Sequence, residues 1–320
     1  MKVACLCGGV GGAKLARGLS DVLAPGELTV IGNVGDDVSV LGLHVSPDLD
    51  SVLYALAGLN DEERGWGRAD ETWRALESAR AWGGEGWFLL GDLDLGLHLV
   101  RTQALREGER LSAVTRRLVD TAGVSTRLLP ATDDPLRTQV VTPAGTFAFQ
   151  EWFVARGHGD EVDALVYVGA EQATAAPGVV EAIATADRIV VAPSNPYVSI
   201  HPILAVSEIA EAVAARRVPA VAVSPLIGGR AVKGPLDRML SRMAGGTTPA
   251  HVAACYEGAI DALVIDEADT VAGVKGTPKG TVPFGDSPRG DGLRFVVART
   301  LMRDRDAARR LAERTLEAVA

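Results

Sequence analysis

Two pairs of aspartates and one glycine-rich turn carry the chemistry legible near the N-terminus. Asp36-Asp37 follow an apolar run, and Asp48 and Asp50 come a loop later in Pro47-Asp48-Leu49-Asp50. Mg²⁺ takes one or two carboxylates together with substrate phosphate and water, so Asp37 and Asp50 read as a metal-binding or catalytic pair. Asp48 reads equally as a helix cap and as a metal contact. Ahead of them, Gly8-Gly9-Val10-Gly11-Gly12-Ala13-Lys14 separates an apolar run from a helical pattern. Glycines so placed let backbone N–H groups approach phosphate oxygens, and the helix N-terminus adds partial positive charge. A tight turn that binds nothing is the competing reading. The run lacks the spacing of a dinucleotide fingerprint, and its second strand ends in Gly32-Asn33 rather than in an acidic residue. Nor is it a Walker A loop, because Lys14 lacks the glycine before it and the Ser or Thr after it.

Further candidates follow later strands. Ser194-Asn195-Pro196 would either hydrogen-bond a ligand or cap the next helix. The run from Ser224 to Pro235 sets Arg230 and Lys233 among glycines before a helix, a second anion-binding design. Asp92 and Asp94 precede a helix, as caps or as further acidic contacts. Four of the five tryptophans, Trp66, Trp73, Trp82 and Trp87, cluster within 22 residues. Core of a subdomain is their plainer reading and a stacking wall for a flat ligand the sharper one. The five histidines show no metal spacing, and no Ser-His-Asp or Cys-His nucleophile is apparent.

These residues must be positioned by a chain of 320 residues, enough for one or two domains. With 47% apolar and 23% charged residues it reads as an ordinary soluble globular protein. A net charge of −9 argues against a nucleic-acid surface, which would be basic. It also means that an anionic ligand needs local neutralisation. No apolar run is long enough to span a membrane and no signal-peptide pattern opens the chain, so a cytoplasmic location with no membrane partner is expected. Cys5, Cys7 and Cys255 read as reduced, buried hydrophobes.

Strand, glycine turn, helix and strand begin a βαβ unit and predict a parallel sheet. A helix is expected at 51–59 with Asp48 and Asp50 capping it. Residues 60–159 depart from the alternation. Helices at about 70–82, 92–107 and 111–122 and short extended pieces at 126–129, 138–142 and 146–149 suggest an inserted helical and mixed subdomain, a lid or wall on the acceptor side. From 160 the alternation returns, with strands at 164–168, 188–192, 220–223, 262–265 and 295–297. Helices are expected at about 177–186, 201–216, 235–243 and 304–319. The fold expected is therefore α/β and Rossmann-like, a mostly parallel sheet with helices on both faces. Its core is formed by 1–59 and 160–320.

The glycine turn from Cys7 to Lys14, Asn33-Val34-Gly35-Asp36-Asp37, Pro47-Asp48-Leu49-Asp50, Ser194-Asn195-Pro196 and the run from Ser224 to Pro235 together resemble the 2-phospho-L-lactate transferase family of coenzyme F420 biosynthesis, phosphoenolpyruvate transferases included. Glu63-Arg64-Gly65-Trp66-Gly67 and Gly91-Asp92-x-Asp94 extend the resemblance over most of the chain. Each motif alone is weak, but their joint order is specific. The resemblance implies a Mg²⁺-dependent transferase. It would move a phosphoenolpyruvyl or 2-phospho-L-lactyl group from a guanosine diphosphate ester to the ribityl hydroxyl of the deazaflavin Fo, releasing GMP. It implies further that Asp37 and Asp50 hold Mg²⁺ or activate the hydroxyl, with Asp36 and Asp48 as helpers. Gly8, Gly9, Gly11, Gly12, Lys14, Ser194, Asn195, Arg230 and Lys233 would surround the guanosine diphosphate, the tryptophan-rich insert would wall the deazaflavin, and the protein would be a homodimer. Two other classes compete. A nucleotide-sugar-binding regulatory protein of related fold would bind without turnover. A nicotinamide-dependent oxidoreductase is disfavoured by the imperfect fingerprint.

Overall fold

The computed structural model describes residues 1–269, 283–284 and 292–319; positions 270–282, 285–291 and 320 of the expected second core segment lie outside these. β1 (Val3–Cys7) passes through the glycine turn into α1 (Gly9–Val22) and β2 (Leu28–Gly32). A hairpin, β3 (Val38–Val40) and β4 (Leu43–Val45), precedes α2 (Pro47–Ala57). Next come α3 (Arg74–Ala81), α4 (Asp92–Arg106), α5 (Leu111–Thr121) and β5 (Arg127–Pro130). β6 (Arg137–Thr142), β7 (Gly145–Ala148), a π-helical turn (Glu151–Ala155) and β8 (Ala164–Val168) follow. The chain continues with α6 (Val179–Ala184), β9 (Arg188–Val191), a second π-helical turn (Pro196–Ile200), α7 (His201–Leu204) and α8 (Ser207–Ala214). After β10 (Ala220–Val223) come the hairpin β11 (Leu226–Ile227) and β12 (Arg230–Ala231), then α9 (Leu236–Met243) and α10 (Pro249–Ala254). β13 (Ala262–Asp266), β14 (Pro283–Phe284), β15 (Leu293–Ala298) and α11 (Arg305–Glu317) complete the order.

Seven of these strands form one parallel sheet in the order β15-β13-β10-β9-β1-β2-β5, with β14 antiparallel on the β15 edge. β1, β2, β10 and β13 are buried along their whole length. Continuous apolar runs of Val, Ile, Leu and Ala are what a strand covered on both faces needs. α1 packs against α2 and α11, and α6 against α8. The fold is thus the α/β, mostly parallel arrangement expected, flanked by helices. From β1 the chain runs outward through β2 to β5, then returns to start the other half at β9, β1's opposite neighbour. The strand order reverses between β1 and β9. In open α/β sheets, ligands bind beyond the carboxyl ends of strands at such a reversal. Gly8 and Ser194 stand at this point.

Three expectations are corrected. The strand at 164–168 is not in the parallel sheet: β8 pairs antiparallel with β6, which also pairs with β7. Ala164, Val166 and Val168 face solvent, so an apolar run that looked doubly covered is covered on one face only. Second, the supposed insert does not lie wholly outside the core, because β5 is the edge strand beside β2, with Ile31 opposite Leu129. Third, α2 begins at Pro47 rather than at 51. Proline at the first helical position has its φ set in advance and no N–H to leave unpaired, so Asp48 and Asp50 lie inside the first turn.

Candidate functional site

The sheet's carboxyl edge brings Asp36, Asp37, Asp48 and Asp50 together, all 5–6% exposed. Asn33, at the end of β2, is the hub. Its Oδ1 accepts from the Gly35 N–H at 2.8 Å, bending the loop. Its Nδ2 donates to Asp48 Oδ2 at 2.9 Å, to Asp36 Oδ1 at 3.3 Å and to the Val198 carbonyl at 3.1 Å. Asp36 also accepts from Gln150 Nε2 at 3.1 Å. Burial, with the charges of Asp48 and Asp37, holds its carboxyl well above the usual range. Burial also lifts Asp48 to about 6 against the pull of its hydrogen bonds from Asn33 and Gly9.

Asp37 is held by one oxygen only. Its Oδ2 accepts from Ser46 Oγ at 2.9 Å and lies 2.8 Å from His44 Nε2. Its Oδ1 is buried with no hydrogen-bond partner among the described residues. A buried, unpartnered carboxylate oxygen is costly, and a bound cation or ligand proton would relieve that cost. Asp50 faces the other way, toward α4, where it accepts from Nη1 and Nη2 of Arg101. Arg101 is 1% exposed. His98, one turn earlier on α4, is pushed down to about 4 by burial, so it is neutral and its Nδ1 lies 3.3 Å from Arg101 Nη1. A bidentate guanidinium uses one lone pair on each oxygen, so Asp50 keeps acceptor capacity. Further along, Tyr54 donates to Asp94 Oδ1, and burial raises Asp94 to about 6.

Among the described residues no group of three His, Cys, Asp or Glu side chains is arranged to hold a metal ion. The donor set still suits a hard cation that keeps water and substrate oxygens: Asp37 offers a free buried oxygen, and Asp50, though turned toward Arg101, keeps acceptor capacity.

The glycine turn is built to let other groups come close. A Cβ at Gly8 would fall 2.3 Å from Asp48 Oδ2, and one at Gly11 would fall 2.8 Å from the Pro193 carbonyl oxygen. The Gly9 N–H donates to Asp48 Oδ1 at 2.7 Å. Ser194 Oγ accepts from the Gly8 N–H at 3.1 Å and donates to the Gly8 carbonyl at 2.7 Å, tying the two central strands together. The first anion at the α1 N-terminus is therefore the protein's own carboxylate. Asn195 caps the turn at Pro196 by accepting from the Tyr197 N–H at 3.0 Å.

Lys14 projects from α1 and donates from Nζ to the Met302 carbonyl at 3.0 Å. It lines a small cleft, open to solvent, with Val10, Ser51, Asn60, Asp61 and Trp66. Lys233 reaches the same loop, donating to the Gly65 carbonyl at 3.0 Å. Burial and the nearby Lys14 charge push its ammonium down. Arg230 is exposed on the β11–β12 hairpin, whose turn uses Gly228 and Gly229 at φ 59° and 71°. Here too a protein carboxylate takes the free amide, as the Gly229 N–H donates to Asp269 Oδ1 at 2.7 Å.

The tryptophan cluster is not a core. Trp82 is 89% exposed and Trp66 41%, while the buried indole is Trp152. Arg64 lies over Trp66 and Trp73 with its guanidinium carbon 4.7 and 5.2 Å from the ring centroids. Asp92 caps α3 by accepting from the Ala75 N–H at 3.0 Å, and Glu71 reciprocally accepts from the Leu93 and Asp94 N–H groups of α4 at 2.7 Å. Cys5 and Cys7 are buried free thiols, Cys5 pushed up to about 12. No single described helix is long and apolar enough to cross a membrane. Sequence reasoning missed His44, His98, Arg101 and Gln150, whose partners lie 7 to 114 residues away. His44, near the acidic pairs, was the one with a local signal.

The sequence model of the family described as 2-phospho-L-lactate transferase CofD matches residues 3–279. A phosphoenolpyruvate transferase of Streptomyces griseus subsp. griseus is 43% identical over 323 residues, covering 99% of this chain and 98% of that one. One from Streptomyces coelicolor is 46% identical over 278 residues, covering 85% and 87%. Among solved structures, a UPF0052-family protein from Bacillus halodurans superposes with a TM-score of 0.61 at 18% identity, covering 98% of each chain; that likeness concerns the fold.

Proposed function

The chain belongs to the 2-phospho-L-lactate transferase CofD family, and on that premise we propose that it is a phosphoenolpyruvate transferase of coenzyme F420 biosynthesis. It moves a phosphoenolpyruvyl group from a guanosine diphosphate ester to the ribityl hydroxyl of the deazaflavin Fo and releases GMP. Enolpyruvyl is preferred to lactyl because relatives 41–47% identical over most of the chain are phosphoenolpyruvate transferases. The observation that carries a catalytic reading is the buried aspartate cluster beyond the sheet's carboxyl edge, with Asp37 Oδ1 left unpartnered.

In the step, the acceptor oxygen forms a bond to the phosphorus that carries the enolpyruvyl group. The bond from that phosphorus to the bridging oxygen of GMP breaks, and GMP leaves with the electron pair. Asp37 and Asp50 would hold Mg²⁺, which supplies neutralisation of phosphate charge when bound. Asp48, titrating near 6, is matched to accept the hydroxyl proton at neutral pH. Arg101 fixes the orientation of Asp50, and Asn33 that of Asp48. Lys14, Lys233 and Arg230 are the cations proposed to meet the donor's diphosphate, with the N-terminal turn of α1 beside them. The exposed Trp66, with the half-buried Trp73 near it, offers a flat surface for an aromatic ligand.

The test is a mass spectrum of Fo after incubation with enzyme, Mg²⁺ and each guanosine diphosphate ester in turn. Product mass increased by phosphoenolpyruvyl, with the lactyl ester slower, supports the reading; unchanged Fo with both donors overturns it.

A further inference from the structure

His44 borders two compartments. Its Nε2 lies 2.8 Å from Asp37 Oδ2, and the residue also lines a cavity of about 270 Å³ between the β3–β4 hairpin, the last turns of α4 and the start of β6. Ser39, Gly42, Thr102, Arg106 and Arg137 complete most of the wall, and among the described residues no acidic one lines it. In a chain of net charge −9, next to a cluster of aspartates, that composition is inverted.

The two arginines are anchored but not consumed. Arg106 donates from Nη2 to the Gly42 carbonyl at 2.9 Å, and Arg137 from Nη1 to the Leu136 carbonyl at 2.7 Å. Each guanidinium carries five donors in a planar fork, so most of each fork stays available, and neither has a carboxylate partner among the described residues. Paired N–H groups match a carboxylate bidentately, which a lysine point charge does not. The space, about 270 Å³, holds a three-carbon acid with room to spare.

We propose that this cavity is the subsite for the carboxylate of the transferred three-carbon group. The inference rests on the transferase reading above and specifies how its donor is held. The carboxylate carbon of an enolpyruvyl phosphate lies three bonds from phosphorus. A group that binds it must therefore sit within one side chain of the residues at the phosphoryl centre. His44 is the residue the two places share: it contacts Asp37 and lines the arginine-bearing cavity. Two guanidinium groups there neutralise a carboxylate that the neighbouring aspartates would otherwise repel.

The experiment compares wild type with Arg106→Gln and with Arg106→Gln/Arg137→Gln by titration calorimetry, using phosphoenolpyruvate, inorganic phosphate and GDP as separate probes in Mg²⁺ buffer. Arg106 is exposed, so the single variant keeps the fold, and thermal melts check both. Phosphoenolpyruvate affinity is expected to fall tenfold or more in the double variant, with GDP affinity unchanged within twofold. Donor KM rises in parallel while Fo KM stays constant. Equal phosphoenolpyruvate binding by wild type and double variant, or none by either, overturns the proposal. So does inorganic phosphate binding as tightly as phosphoenolpyruvate, or a parallel loss of GDP binding, since either would make the cavity a phosphate or nucleotide site. A wild type that binds phosphoenolpyruvate through these arginines yet releases no GMP sinks the transferase reading and leaves the carboxylate site standing.

Discussion

Replacing Asp94 by Asn should stabilise the protein at alkaline pH and leave it unchanged in acid. Asp94 sits in the first turn of α4, accepts the Tyr54 hydroxyl and lies near Asp50 and Glu71. Burial is the main cause that raises its carboxyl from 3.8 to about 6, the two neighbouring carboxylates push the same way, and the Tyr54 hydrogen bond opposes them. The folded chain therefore binds this proton more tightly than the unfolded chain. The ionisation penalty is absent below the unfolded value, grows between 3.8 and about 6, and is complete above. The rise from 3.8 to about 6 corresponds, at 1.36 kcal/mol for each tenfold change in proton affinity, to about 3 kcal/mol. Residual solvent contact trims this to about 2–3 kcal/mol. Asparagine keeps a carbonyl for Tyr54 and removes the charge. Urea unfolding at pH 8 should show Asp94→Asn more stable by that amount with an unchanged m-value, and unfolding at pH 4 should show no difference. A gain of equal size at both pH values, or a loss at pH 8, would refute the assignment of the penalty to ionisation.

Other perturbations probe the scaffold. Arg101→Met removes the buried partner of Asp50 and should cost about 3–5 kcal/mol, roughly 5–10 °C in Tm. The double variant Arg101→Met/Asp50→Leu should recover most of the loss, and a double variant no better than the single would contradict an uncompensated charge as the cause. Gly8→Ala drives a Cβ into Asp48 Oδ2 and should destabilise by about 1–3 kcal/mol. Gly96→Ala, in α4 with open space around it, should instead stabilise by up to about 1 kcal/mol. Denaturation curves that ranked the two alanines the other way would contradict the packing described at the α1 N-terminus.

The sheet was legible because its strands announce themselves locally. Val3 to Cys7 and Ala220 to Val223 are short, apolar and punctuated by glycine or proline, and each βα alternation implies a parallel neighbour. Pairing is not local. The apolar run of β8 satisfies a doubly covered strand by composition, yet β6 claims it in a small antiparallel sheet with one exposed face. The insert boundary failed for the same reason, since only β2 shows that β5 belongs to the core. At the site, the aspartates were readable from their spacing after β2 and in Pro47-Asp48-Leu49-Asp50. Their states were not. Arg101 lies 51 residues from Asp50 and Gln150 lies 114 from Asp36, and no local pattern marks either. Nor does spacing reveal that Asp48 takes the Gly9 amide a phosphate was expected to use.

The most direct measurement is GMP release by wild type, Asp37→Asn and Asp50→Asn, each mixed with Fo, the enolpyruvyl guanosine diphosphate ester and Mg²⁺. Asparagine nearly preserves the shape of each site and removes one carboxylate charge; thermal melts accompany both variants, because Asp50→Asn leaves the buried Arg101 charge uncompensated. The account expects stoichiometric GMP from wild type, lost on chelation with EDTA, and a fall of at least a hundredfold in both variants. Wild-type rates in Asp37→Asn, or GMP release that persists in EDTA, would contradict it.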